Sequence, residues 1–178
     1  MKLLRTIRLD ASDTFAFPAA AEPGEWAVSG TFVFSDVEPA ALKGKQRVAF
    51  RSGLLGFPSL GWSTLAQVVE ATAEDRRAAR DALAHCLLAR FGAPDLAAAC
   101  EAADEEIEFA ASLCEHPPNT LIAVHRTVRV SAIHEAFRTL RPRDVDRRWR
   151  AFSFLDAKAE DEPIETVDLA KLTQRENG

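Results

Sequence analysis

The stretch TLIAVHRTVRVSAIHEAFRTL, Thr120 to Leu140, decides the fold. Thr120 to Val128 reads as a strand, a turn falls near Arg129 to Ala132, and a second strand follows from Ile133 to Leu140. Setting Val128 against Ile133 also sets Val124 against Phe137 and Arg126 against Glu135. Two apolar pairs and one opposite-charge pair then share a face, which supports this register, because a slip of one residue turns every side chain over. The opposite face carries His125, Thr127, His134 and Arg138.

Upstream of this hairpin, two helices are well punctuated. Thr72 precedes Ala73-Glu74-Asp75, an N-cap with acids in the first turn, and Gly92 supplies the stop. Ala79, Leu83, Leu87, Arg90 and Phe91 trace one side of this first helix. Pro94 opens the second, which runs to about Glu115 and ends at His116-Pro117-Pro118. Leu96, Cys100, Ala103, Ile107, Ala110 and Cys114 form its apolar stripe. The short connection makes the two helices antiparallel neighbours.

The N-terminal third reads as strands: Lys2 to Asp10, a short piece with Phe15 and Phe17 at strand spacing, and Trp26 to Phe34 with its apolar residues alternating. Asp36 to Gly61 reads as a short helix or irregular segment followed by a glycine-rich apolar loop, Gly53 to Gly61, either folded into the core or presented to a ligand. Trp62 to Ala71 reads as one strand rich in Val, Leu and Thr. Arg150 to Leu155 suggests a final strand. From Asp156 onward, seven acidic and three basic residues accompany few large apolar ones, the composition of a flexible acidic tail. The expected organisation is one α+β domain over 1–155, a mainly antiparallel sheet packed against a two-helix antiparallel hairpin, with a tail over 156–178.

Composition excludes several function classes. With 178 residues, 47% apolar and 28% charged, the chain suits one globular domain that needs neither disulfide nor metal for stability. No apolar run is long enough to span a bilayer, and the first ten residues lack a signal-peptide pattern. A net charge of −5 argues against general nucleic-acid binding. The three cysteines recur every fourteen residues, at Cys86, Cys100 and Cys114. Cys100 and Cys114, on one helix, would stand about 21 Å apart and share no ion, so the expectation is core thiols, no metal and no cofactor. Nothing points to an oxidising compartment, and a cytoplasmic location is expected. The glycine-rich loop matches neither a P-loop nor a dinucleotide fingerprint, and no nucleophile-elbow pattern occurs.

Three clusters carry candidate chemistry. Glu101, Asp104, Glu105 and Glu108 form one stripe on the second helix, in a segment from Asp95 to Glu115 that holds no Lys or Arg. Such a stripe is a solvated face or an acidic docking surface. His125, His134 and Arg138, with Arg51 from the loop region, are the candidate anion site. Arg147 and Arg148 lie in an Arg-rich run from Arg138 to Arg150, suited to an acidic partner or phosphate.

The blocks GEWAVSG (Gly24 to Gly30), AFRSGLLG (Ala49 to Gly56), GWSTLAQVVEA (Gly61 to Ala71), ASLCEHPPNTLIAVHRT (Ala111 to Thr127), IHEAFRTLRPR (Ile133 to Arg143) and AFSFLD (Ala151 to Asp156) together resemble a family of uncharacterised proteobacterial proteins. The resemblance spans nearly the whole chain except the acidic tail and implies no activity for any residue. The residues favour an accessory or interaction protein over an enzyme. Its segregated charges, Glu101, Glu105 and Glu108 against Arg147 and Arg148, would orient another protein. The alternative is a small-anion binder or enzyme using His125, His134, Arg138 and Arg51. Nucleic acid and membrane are not expected partners, and a homo-oligomer is compatible with the sequence.

Overall fold

The computed structural model describes residues 1–129, 132–141 and 156–157. They form an α+β fold around one antiparallel sheet. Its strands are β1 (Lys2–Ile7), β2 (Trp26–Val28), β3 (Leu54–Phe57), β4 (Trp62–Ser63), β5 (Leu65–Glu70), β6 (Leu121–Arg129), β7 (Ala132–Arg141) and β8 (Asp156–Ala157). They lie side by side in the order β4-β3-β2-β1-β5-β6-β7-β8. Four α-helices accompany it among the described residues: α1 (Ser12–Ala16), α2 (Gly44–Ser52), α3 (Ala73–Arg90) and α4 (Leu96–Ser112).

The register of the deciding hairpin is the one its side chains require. Val124 faces Phe137, Arg126 faces Glu135 and Val128 faces Ile133. Helix α3 begins with a reciprocal capping box, in which Asp75 N–H donates to Thr72 Oγ1 at 3.1 Å and Thr72 N–H donates to Asp75 Oδ2 at 2.9 Å. Gly92, at φ +72°, ends the helix by letting Ala93 N–H return to the Leu87 carbonyl at 3.3 Å. Helix α4 starts at Leu96, two residues later than Pro94 suggests, capped by Asp95, whose Oδ1 accepts from Ala98 N–H at 2.8 Å. Leu83 and Leu87 of α3 and Ala99, Ala103, Ile107 and Ala110 of α4 join the same apolar core as Leu4, Val28, Leu55 and Val68 of the sheet.

The N-terminal half departs from its strand-rich reading. Phe15 and Phe17 sit on and just after helix α1, and the two rings part company, Phe15 being 75% exposed and Phe17 only 1%. Buried Asp13 anchors that helix, accepting from Thr64 N–H at 3.2 Å and Thr64 Oγ1 at 2.5 Å. Strand β2 stops at Val28 because Gly30 turns the backbone to φ +78°, and Thr31–Phe34 then forms a 3-10 turn. A Cβ at Gly30 would stand 2.5 Å from Leu55 Cβ, so the turn also needs the missing side chain. The expected single strand from Trp62 to Ala71 is divided between β4 and β5 at Thr64.

The glycine-rich loop is the largest correction. Leu54–Phe57 is strand β3, buried at four successive residues, so both faces of the sheet are covered there. Its apolar residues are therefore folded into the core. The last expected strand, Arg150 to Leu155, lies outside the described residues, as does 158–178. Asp156–Ala157, read as the start of a tail, pairs with Leu140 and Arg141 as β8.

Candidate functional site

The hairpin β6–β7 divides the chemistry of this molecule between two faces. On the outer face, Ala123 lies opposite Arg138, His125 opposite Ala136 and Thr127 opposite His134. His134 and Arg138 are exposed, while His125 and Thr127 are half-buried. His125 and Arg138 meet, together with Ala123 and Val124, at a shallow depression of about 300 Å³. His134 shares this face without lining the depression. Arg51 is exposed in the last turn of α2 and does not line it either.

The inner face carries a denser arrangement. Arg126 is 1% exposed, and all of its guanidinium nitrogens are occupied. Nε donates to Glu135 Oε1 at 2.7 Å and to Thr31 Oγ1 at 2.9 Å. Nη1 donates to the Phe50 carbonyl at 3.0 Å and the Gly53 carbonyl at 2.8 Å. Nη2 donates to the Ser29 carbonyl and to Ser29 Oγ. The Phe50 and Gly53 carbonyls belong to the end of α2, where the last helical C=O groups lack partners, so Arg126 caps that helix from the sheet. Glu135 also accepts from the Ser29 and Thr31 hydroxyls. Burial pulls the Arg126 guanidinium below its usual pKa, and the facing Glu135 carboxylate opposes that fall.

Glu106 of α4 lies close enough to this network to feel the charges of Glu135 and Arg126. Its Oε2 is buried and has no hydrogen-bond partner among the described residues. Burial pushes its carboxyl up to about 7; the Glu135 carboxylate adds to the rise and Arg126 opposes it. This residue escaped the reading of α4 as a solvated acidic stripe. The missed signal is spacing: Glu106 stands three residues after Ala103 and four before Ala110, both on the buried stripe.

The other acids of α4 are where their spacing places them. Glu101, Glu105 and Glu108 are exposed. Asp104 is half-buried and faces Arg76 at 3.8 Å and Arg80 at 3.9 Å, and Glu108 reaches Arg76 at 3.4 Å. Arg147 and Arg148 lie outside the described residues. The thiols divide between Cys114, which is buried, and Cys86 and Cys100, which are only partly so. Among the described residues no group of three or more His, Cys, Asp or Glu is placed to hold a metal ion, and no helix is long and apolar enough to cross a membrane.

Residues 1–154 match the model of a family of unknown function. The chain belongs to that family, DUF6505. The DUF6505 match includes the Arg126 network, the outer depression and the whole of α4, and it attaches no activity to any of them. No curated protein and no solved structure matches the chain.

Proposed function

We propose that this protein is an accessory protein that holds a basic segment of another protein on the solvent face of α4. One observation carries the reading: Glu101, Glu105 and Glu108 stand exposed beside Phe109, which is 40% exposed. Glu101, Glu105 and Phe109 follow one another at four-residue spacing and so share a face. Phe109 is steadied from below by Phe137 of β7, edge to face at 5.7 Å between centroids. An aromatic centre with a charged rim is the anatomy of a protein contact, and the rim acts mainly through steering and register. Arg76 already engages Glu108, so Glu101 and Glu105 are the acids offered to a partner. Arg147 and Arg148 are proposed, on their sequence alone, as a second contact of opposite sign.

The test is retention from a native lysate by the tagged chain and by its Glu101→Lys/Glu105→Lys variant. A protein retained in stoichiometric amount by the wild type, released by salt and lost from a folded variant supports the proposal. Equal retention by the variant rejects it.

A second reading rests on the depression at His125 and Arg138, which suits a small anion with His134 nearby. Thermal melts with inorganic phosphate and simple metabolite anions test it. A ligand at a hundred times its Kd contributes about 2.7 kcal/mol, and His125→Ala/Arg138→Ala should abolish the shift. No shift across the series rejects this reading.

Arg76 near the start of α3 reaches Glu108 near the end of α4, which supports an antiparallel helical hairpin as the cover of the sheet. The three free thiols suit a reducing compartment, the cytoplasm.

A further inference from the structure

A cleft of about 460 Å³ opens between the turn from β3 to β4 and the C-terminal half of α3. Pro58 and Leu60 line it from the turn, and Ala82, His85, Cys86 and Arg90 line it from the helix. Its volume falls within the roughly 300–1,000 Å³ of ordinary small-molecule sites, and its walls combine apolar surface with Ser59, His85, Cys86 and Arg90.

The turn is held in place before any ligand arrives. Glu25 accepts from Ser59 N–H at 2.9 Å and from Ser59 Oγ at 2.6 Å, and Gly61 N–H donates to Ser59 Oγ at 3.1 Å. Leu60 is kept at φ +58°, a conformation a leucine adopts only when its surroundings impose it. Helix and turn meet where the Cys86 thiol faces the Pro58 carbonyl, with S···O 3.8 Å.

Charge at the cleft is unequally used. His85 Nδ1 lies 2.6 Å from the Asp81 carbonyl, so its proton is committed within the helix. Both Glu25 oxygens serve the turn and the neighbouring Glu22 N–H. Arg90 makes no hydrogen bond or ion pair among the described residues; burial raises the Cys86 thiol, the Arg90 charge opposes that rise and the Glu25 carboxylate adds to it. Arg90 is thus an exposed cation on the cleft wall with no hydrogen-bonded or ion-paired anion among the described residues, and the nearby Glu25 carboxylate is held by the turn.

We propose that this cleft binds a small monocarboxylate with a short apolar chain, its carboxylate on Arg90 and its chain against Pro58, Leu60 and Ala82, over Cys86. An Arg fork matches a carboxylate in geometry as well as in charge. The site is separate from the α4 face and from the His125 depression.

Cys86 is the reporter. Site-resolved mass spectrometry follows its alkylation by iodoacetamide in the full chain, with sodium hexanoate titrated to about 50 mM, a range that covers millimolar affinities. Hexanoate at about ten times its Kd should slow Cys86 roughly tenfold, because only the unoccupied fraction reacts. Cys100, partly exposed and outside the cleft, serves as the internal control. Hexanamide, of the same shape without the charge, should protect far less. Arg90→Gln should lose the protection, Arg90→Lys should keep part of it, and Arg138→Gln should keep all of it. An unchanged rate through the titration, equal protection by hexanamide, or full protection in Arg90→Gln overturns the proposal.

Discussion

Arg126 is a cation with almost no exposed surface, so its value to the molecule lies in what it joins. It links β6 to β7 through Glu135, to the turn after β2 through Ser29 and Thr31, and to the end of α2 through two carbonyls. Removing one partner of such a pair leaves the other charge buried and uncompensated. Arg126→Leu should therefore lower stability by about 3–5 kcal/mol in urea titrations, and Arg126→Leu/Glu135→Leu should recover only the share due to the unpaired carboxylate, because the Phe50, Gly53 and Ser29 carbonyls still lack their donor. Glu106 makes a different prediction. Its carboxyl is raised from 4.5 to about 7 in the folded protein, so the folded state holds that proton more tightly than the unfolded chain. The contribution is fully present below about 4.5 and is lost as pH rises through about 7, by on the order of 1–3 kcal/mol. Melts across that window should show the wild type losing stability relative to Glu106→Gln; parallel curves would remove Glu106 as the cause. The Arg126–Glu135 pair was legible because strand register places residues two-sidedly and predictably. Glu106 was not, because its burial depends on which part of the sheet α4 lies against.

At the scale of elements, local punctuation was readable and double-sided burial was not. The Thr72–Asp75 box marks the start of α3 in sequence and in space, and Thr72→Ala should cost about 1 kcal/mol in denaturant unfolding. Strand β3 shows no alternation because both its faces are covered, so period-two reasoning had nothing to detect. Its glycine misled as well. Gly56 serves close packing rather than a loop: a Cβ there would stand 2.7 Å from Ala21 Cβ and 2.9 Å from Thr6 Cγ2. Gly56→Ala should thus destabilise by about 1–3 kcal/mol through overpacking, measurable by thermal melts, whereas a loop glycine would tolerate the change. Phe15 and Phe17 have strand spacing yet lie on and after a five-residue helix, too short for a helical period to declare itself.

Across the whole molecule, the described surface places acid on α4 and cation at Arg138, on a chain of net charge −5. Exposed ion pairs such as Arg76–Glu108 add little to stability, so the arrangement matters for encounter more than for folding. If α4 docks a basic partner, the association rate should fall at least about tenfold as ionic strength rises from low to several hundred millimolar, while dissociation changes less. Surface-binding kinetics at graded salt would show this, and a salt-independent association rate would remove steering from the account.

The sequence by itself determined the register of β6 and β7, the cap of α3, the α+β class with an antiparallel sheet, and the acidic face of α4. Each rests on periods or contacts within a few residues, or on one pairing that a single slip would ruin. Tertiary structure alone decided that Gly53 to Gly61 builds a buried strand and a turn, that Glu106 comes within reach of the charges of Glu135 and Arg126, and that the turn at Pro58 forms a cleft with α3. These outcomes join side chains from segments far apart in the chain, and no local pattern records which distant neighbour will arrive.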